Sequence, residues 1–265
     1  MDKYFNKIFV ISLYDKEKRW MKVKKQFSRR KIDVERFIAI DGRCKDQNPK
    51  GCYDKLKSFE ISYNVKIPIK KGEKLKEMIP ASSLSIGTLL LLREMVKKKW
   101  KRILICEDDI ILGKNLEDRF KQGIKEIGNK RWDLLYLGSG NDSGSEGISM
   151  KSKKGYKRSF LSDYYYEDFY IKYKNDLRLP AEKSKKISEH ISQASSPGGT
   201  WCYAVSLAGA KKILKLMDNN VANHIDQIYM KHTKKKELKS LAFDPPLVMH
   251  EDISQGRDTD IPWEM

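Results

Sequence analysis

Three consecutive acids, Glu107-Asp108-Asp109, follow directly on the apolar run Ile103-Leu104-Ile105-Cys106. Carboxylates clustered at the end of a buried strand repel one another and raise one another's pKa, so the arrangement asks for a cation. Hard oxygen ligands select magnesium or manganese. A metal held there can clamp the two phosphates of a nucleotide-sugar and neutralise charge on a departing diphosphate. If the backbone stays extended through the triplet, Glu107 and Asp109 project to one side and Asp108 to the other. The competing reading of the triplet is a cap or solvated turn ahead of a helix starting near Asn115.

The elements that must position these acids are legible as an alternation. Residues 7 to 13 read as a buried strand, and Trp20, Val23 and Phe27 recur among lysines at helical spacing. Val34 to Ile40 reads as a second strand ending at the turn pair Asp41-Gly42. Residues 43 to 79 are polar and weakly periodic and read as loop; Ser82 or Ser83 then caps a helix over Leu84 to Val96. After the strand that delivers the acids, Leu116, Phe120, Ile124 and Ile127 mark another amphipathic helix. Trp132 to Gly138 is a strand, the stretch from about 139 to 197 is an irregular insertion, and 199 to 206 is a strand followed by a helix from Ala208 to Met217. The tail from Leu241 onward carries no helical pattern.

This order predicts one α/β domain over residues 1–265: an open, mostly parallel sheet with helices on both faces. Ligands of such sheets bind at the carboxyl ends of the strands. That rule gathers Ser12, Leu13 and the residues up to Asp15, the Asp41-Gly42 turn, Glu107 to Asp109 and the turn after Gly138 around one crevice.

A net charge of +18 favours anionic partners. The lysines are spread over nearly every segment, and helix-turn-helix, zinc-finger and RNA-binding signatures are lacking, so a nucleic-acid partner is not expected. Cys44, Cys52, Cys106 and Cys202 show no CxxC spacing. Cys44 and Cys52 are near enough in sequence to close a small loop in an oxidising compartment, whereas Cys106 and Cys202 fall in apolar runs suited to buried thiols. Reduced cysteines and a cytoplasmic location are the expectation, with no transmembrane segment and peripheral membrane contact left open; the apolar run Ile8 to Leu13 is too short for a signal-peptide core.

Five motifs in order resemble glycosyltransferase family 25, the group of bacterial lipooligosaccharide galactosyltransferases and procollagen hydroxylysine galactosyltransferases. They are Phe9-Val10-Ile11-Ser12-Leu13 with Arg19, Ala39-Ile40-Asp41-Gly42, Ile105-Cys106-Glu107-Asp108-Asp109, Trp132 to Gly138, and Tyr203 to Lys212. The resemblance implies a GT-A fold, a UDP-sugar donor, a manganese-type cation, a glycan or glycoprotein acceptor, and transfer of a hexose with inversion. It assigns Ser12, Leu13, Arg19, Asp41, Gly42, Glu107 and Asp108 to donor binding, and Glu107, Asp109 and His250 to the metal. Asp226 stands where the family carries an Asp just before a helix, as candidate general base, with a helix N-cap as the competing reading. Where many members have Gly-Cys and then Ser-His in the helix before the acidic motif, this chain has Ser83-Leu84 and Gly87-Thr88, which implies a different sugar or acceptor. A catalytically silent relative that serves as a binding or scaffold protein is the alternative, because a fold does not fix an activity.

Overall fold

Beta-branched and leucine-rich runs with apolar side chains at every position form strands that are buried on both faces. In the computed structural model, which describes residues 1, 3–43, 49–69, 75–139, 185–194, 197, 199–222, 224–244 and 246–250, such runs make the centre of an eight-stranded sheet. Its strands are β1 (Lys7–Ser12), β2 (Glu35–Ile38), β3 (Arg102–Glu107), β5 (Leu134–Gly138), β6 (Lys185–Lys186), β7 (Ile191–Gln193), β8 (Cys202–Ser206) and β9 (Ser240–Phe243). The spatial order is β2-β1-β3-β8-β5-β9-β7-β6. The pairings orient β2, β1, β3, β5, β9 and β6 one way, and β8 and β7 the other. The sheet is thus mostly parallel, as the alternation of elements predicts. β4 (Ile110–Leu112) and β10 (Val248–His250) form a separate antiparallel ribbon.

Alternation along each central strand divides the core in two. Phe9, Ile11, Ile103, Ile105, Tyr203 and Val205 face one side, where they meet α2 (Pro49–Tyr63), α3 (Leu75–Lys97), α5 (Leu207–Met217) and α6 (Ile225–Lys234). Ile8, Val10, Leu104, Cys106, Cys202 and Ala204 face the other, against α1 (Glu17–Ser28) and α4 (Leu116–Ile127). Helices cover both faces, so neither favours polar side chains, which is why these strands show no period-two polarity in the sequence.

The stretch 43–79 departs from the loop expected of it. α2 occupies Pro49–Tyr63, with Cys52, Leu56 and Phe59 buried at helical spacing. α3 begins at Leu75 and runs through Pro80, so Ser82 and Ser83 lie inside it and cap nothing; Ser83 Oγ instead donates to Ile79 O at 2.7 Å. Proline lacks the N–H for the preceding turn and ordinarily marks a break, and it masks the continuity of this helix. Met78–Lys97 is apolar and long enough to cross a bilayer, longer than any run singled out in the sequence, but 72% of its most apolar window is buried inside the protein, against α2, α5 and α6. The insertion is not wholly irregular either: its end supplies β6 and β7 to the sheet edge. The rest of 139–197 lies largely outside the described residues.

Cys106 and Cys202 are buried free thiols, as expected, but Cys52 is disulfide-bonded, which overturns the expectation of uniformly reduced cysteines. Hydrogen bonds to a carboxylate fasten the sheet edge: Glu126 of α4 accepts from the His190 backbone N–H at 2.9 Å, and its Oε1 lies 2.7 Å from His190 Nδ1. Burial alone would raise the Glu126 pKa; the bonds from His190, Ser188 and Gln122 outweigh it and hold the carboxyl at about 2.

β10 folds back over the end of β5, where a Cβ on Gly138 would lie 2.1 Å from Val248 O. This is a backbone contact that no rotamer change relieves. Gly138→Ala should therefore destabilise the protein by about 1–3 kcal/mol through displacement of β10, measurable as a lowered denaturation midpoint with an unchanged m-value.

Candidate active site

The carboxyl ends of β1, β2 and β3 open on one cleft, as the parallel arrangement requires. Ile11, Ser12 and Leu13 line it from β1, Ala39, Ile40, Gly42 and Arg43 from the segment after β2, and Glu107, Asp108 and Asp109 from the end of β3. Arg19 of α1 and Pro80, Ser83 and Leu84 of α3 complete the wall. The cleft is open to solvent and its volume is about 130 Å³, below the roughly 300 Å³ at which typical small-molecule pockets begin.

The acids do not alternate across an extended strand. β3 ends at Glu107, and Asp108 and Asp109 form a turn into β4. As a result Asp108 and Asp109 share one cation: Arg19 Nε stands 3.3 Å from Asp108 Oδ1 and its Nη2 2.5 Å from Asp109 Oδ2. All three side chains are nearly enclosed, at 13%, 10% and 14% exposure, so the attraction is little screened by solvent. Glu107 is held separately. Its N–H donates to Trp201 O at 2.9 Å, and its Oε1 accepts from Thr200 Oγ1 at 2.7 Å. The cap reading of the triplet fails, since the helix that follows, α4, has Asn115 at its N-cap position.

Asp226 is reached through the same strap. Its Oδ2 accepts the Gly199 N–H at 3.0 Å and its Oδ1 the Gln227 N–H at 2.7 Å. Residues 199 and 200 thereby tie the first turn of α6 to the end of β3. The N-cap of α6 is His224, so Asp226 is not the cap; it occupies the first turn, where the helix dipole favours a carboxylate. Asp226 does not line the cleft. His250 ends β10 opposite Ile110, which places its backbone beside the acidic turn. Gly138 itself packs against Val248 of β10 and does not line the cleft, and the turn beyond Ser139 lies outside the described residues.

Two arginines shape the rim and escaped the sequence reading. Arg36 of β2 donates through Nη2 to Leu13 O at 2.7 Å and to Tyr14 O at 3.2 Å, which fixes the loop after β1. Arg43 grips Asp41 in a fork, Nε to Oδ1 at 2.9 Å and Nη2 to Oδ2 at 2.7 Å, and reaches Asp15 Oδ2 with Nη1 at 2.7 Å. α2 supports it: Lys55 Nζ donates to Arg43 O at 2.7 Å. Gly42 sits so close to α3 that a Cβ would meet Pro80 Cα at 2.7 Å and Ile79 O at 2.9 Å. Only a glycine lets the strand-end loop touch the helix there.

A family model described as glycosyltransferase family 25 (LPS biosynthesis protein) matches residues 5–229. The chain belongs to glycosyltransferase family 25. The members of that family are glycosyltransferases. A search of curated proteins finds no match. Among solved structures, a mannose-1-phosphate geranyltransferase from Thermus thermophilus is similar at a TM-score of 0.30 and 9% identity, covering 87% of this chain and 62% of that one. Mouse xyloside xylosyltransferase 1 in its apo form is similar at 0.31 and 11%, covering 87% and 69%. Neither likeness is close enough to bear on what this chain does. The family match covers the cleft, the acidic turn and Asp226, while His250 lies beyond it.

The Asp41 carboxyl is held down at about 2, from 3.8, chiefly by its hydrogen bonds from Arg43. A depressed carboxylate contributes stability that is fully present above 3.8 and lost as pH falls toward 2. With Asp41 42% exposed, the contribution is about 1 kcal/mol or less. Arg43→Gln should return the Asp41 pKa to the ordinary carboxylate range in a carboxyl-detected NMR titration, and its stability deficit against the parent should vanish near pH 2.

Proposed function

We propose that this glycosyltransferase moves a hexose from a UDP-sugar to a hydroxyl of a glycan or glycoprotein, with inversion at the anomeric carbon and with a bound manganese or magnesium ion. The observation that carries the reading is the acidic turn itself: three carboxylates converge on the cleft at the carboxyl edge of the sheet, two of them already bound to a cationic side chain. An all-oxygen donor set suits a hard divalent cation. Glu107 and Asp109 would hold it, with His250, whose backbone lies beside the turn, as a further ligand. The ion, when bound, supplies charge neutralisation for the leaving diphosphate.

The protein's own groups do the remaining work. Ser12, Leu13, Asp41 and Gly42 form the strand-end loops against which the uridine is held, and Asp108 serves the donor from the acidic turn. Arg36 and Arg43 keep those loops fixed before the donor arrives, so little ordering entropy is left to lose on binding. Arg19 holds Asp108 and Asp109 and lends positive charge beside the phosphates. Asp226 accepts the proton of the acceptor hydroxyl as that oxygen attacks the sugar from the face opposite the diphosphate. Each of its oxygens already accepts one backbone N–H, which aims the carboxylate and leaves lone pairs for the acceptor.

Asp226→Asn preserves size and removes basicity. It should keep UDP affinity within about threefold of the parent while transfer from a radiolabelled UDP-hexose falls by about 10²–10⁴-fold, the usual worth of a general base. Turnover near that of the parent would remove Asp226 from the reaction.

A further inference from the structure

Cys106 ends the apolar part of β3, and Cys202 opens β8 directly across the antiparallel ladder from it. The next pair, Glu107 and Trp201, exchanges a backbone hydrogen bond. Opposed pairs alternate along such a ladder, so Cys106 and Cys202 occupy a non-hydrogen-bonded site, where Cα atoms come to about 4.5 Å and side chains stand closest. That separation falls within the range a disulfide spans. Their sulfurs are 2.8 Å apart, and both residues are enclosed, at 0% and 1% exposure, on the sheet face covered by α1 and α4.

We infer that Cys106 and Cys202 are an oxidisable pair that closes to a cross-strand disulfide at the root of the acidic turn. Two observations support it independently. The geometry asks for a sulfur displacement of less than about 1 Å to reach bonding distance, with no backbone rearrangement. The chain also already contains a disulfide-bonded cysteine, Cys52, so its cysteines belong to a protein that forms such bonds.

In the reaction a thiolate of the pair attacks a low-molecular-weight disulfide such as oxidised glutathione, giving a mixed disulfide and one released thiol. The second thiolate displaces the other glutathione. Two S–H bonds are lost, one S–S bond forms, and the two electrons and two protons end on two glutathione thiols. Enclosure of both sulfurs sets the time of the exchange: it takes place during folding, before β8 closes on β3. The bond fixes the ends of the two strands that carry Glu107 and the Thr200-Trp201 strap, and so preserves the Glu107–Thr200 contact. It closes a separation of 96 residues, a long loop of the kind whose cross-linking constrains the unfolded chain most.

The test is a non-reducing peptide map of the full chain, unfolded, refolded in a mixture of reduced and oxidised glutathione, denatured in acid and alkylated. Trypsin releases Cys106 in the peptide Ile103–Lys114, Cys202 in Ile187–Lys211 and Cys52 in Gly51–Lys55. The inference predicts a single species joining Ile103–Lys114 to Ile187–Lys211, its mass lower by two hydrogens than the sum of the two, and loss of both alkylatable thiols. In Cys202→Ala, Cys106 should become fully alkylated while Cys52 stays blocked. Separate recovery of the two parent peptides, each alkylated, from a sample in which Cys52 is blocked would overturn it.

Discussion

The structure depends on one electrostatic problem, the gathering of carboxylates at the end of a strand that has no water on either face. Two like charges 4 Å apart in a medium of effective dielectric near 20 repel by about 4 kcal/mol, a large share of the roughly 5–15 kcal/mol that holds a whole domain together. The protein divides the load. Arg19 takes Asp108 and Asp109, and the Thr200 hydroxyl donates to the Glu107 carboxylate. Much of the remaining architecture can be understood as what is needed to bring those partners to the same place.

α1 must pack so that Arg19 reaches the turn, and it is anchored through Trp20, Val23 and Phe27, which it buries in the core. The antiparallel strand β8 sits between β3 and β5, and its approach delivers Thr200 to Glu107 and Gly199 to Asp226. A parallel strand in that position would bring its other end to the carboxyl edge. The reversal of β8 thus couples the candidate base to the acidic turn. On the other flank, Gly42 permits a close approach of the loop after β2 to the α3 backbone, and Arg36 and Arg43 tie that loop and its neighbour by charge-assisted bonds.

The core strands, α1, α4 and α5, and the acidic turn were legible because their signals are local: apolar runs, helical spacing, an anomalous row of acids. What escaped is non-local or masked. α2 shows Cys52, Leu56 and Phe59 at helical spacing, yet the lysines around them dilute the pattern, and Pro80 hides the first turns of α3. Sequence spacing alone placed Asp108 opposite Glu107 and Asp109, whereas the turn that ends β3 brings Asp108 to the same arginine as Asp109. The partnership of Arg19 with residues 90 positions away and the strap from Thr200 to Glu107 are products of sheet order, which periodicity does not encode. Arg43 was visible beside Asp41-Gly42, but only the fold shows that it bridges two loops through Asp41 and Asp15.

The central claim, that the acidic turn becomes a cation-dependent nucleotide site, is tested most directly by calorimetric titration of UDP into the protein in manganese and again in chelator. The account predicts micromolar binding in manganese that is lost on chelation, and its absence in manganese when Asp109 is replaced by alanine. Equal affinity with and without the ion, or unchanged affinity in Asp109→Ala, would contradict it.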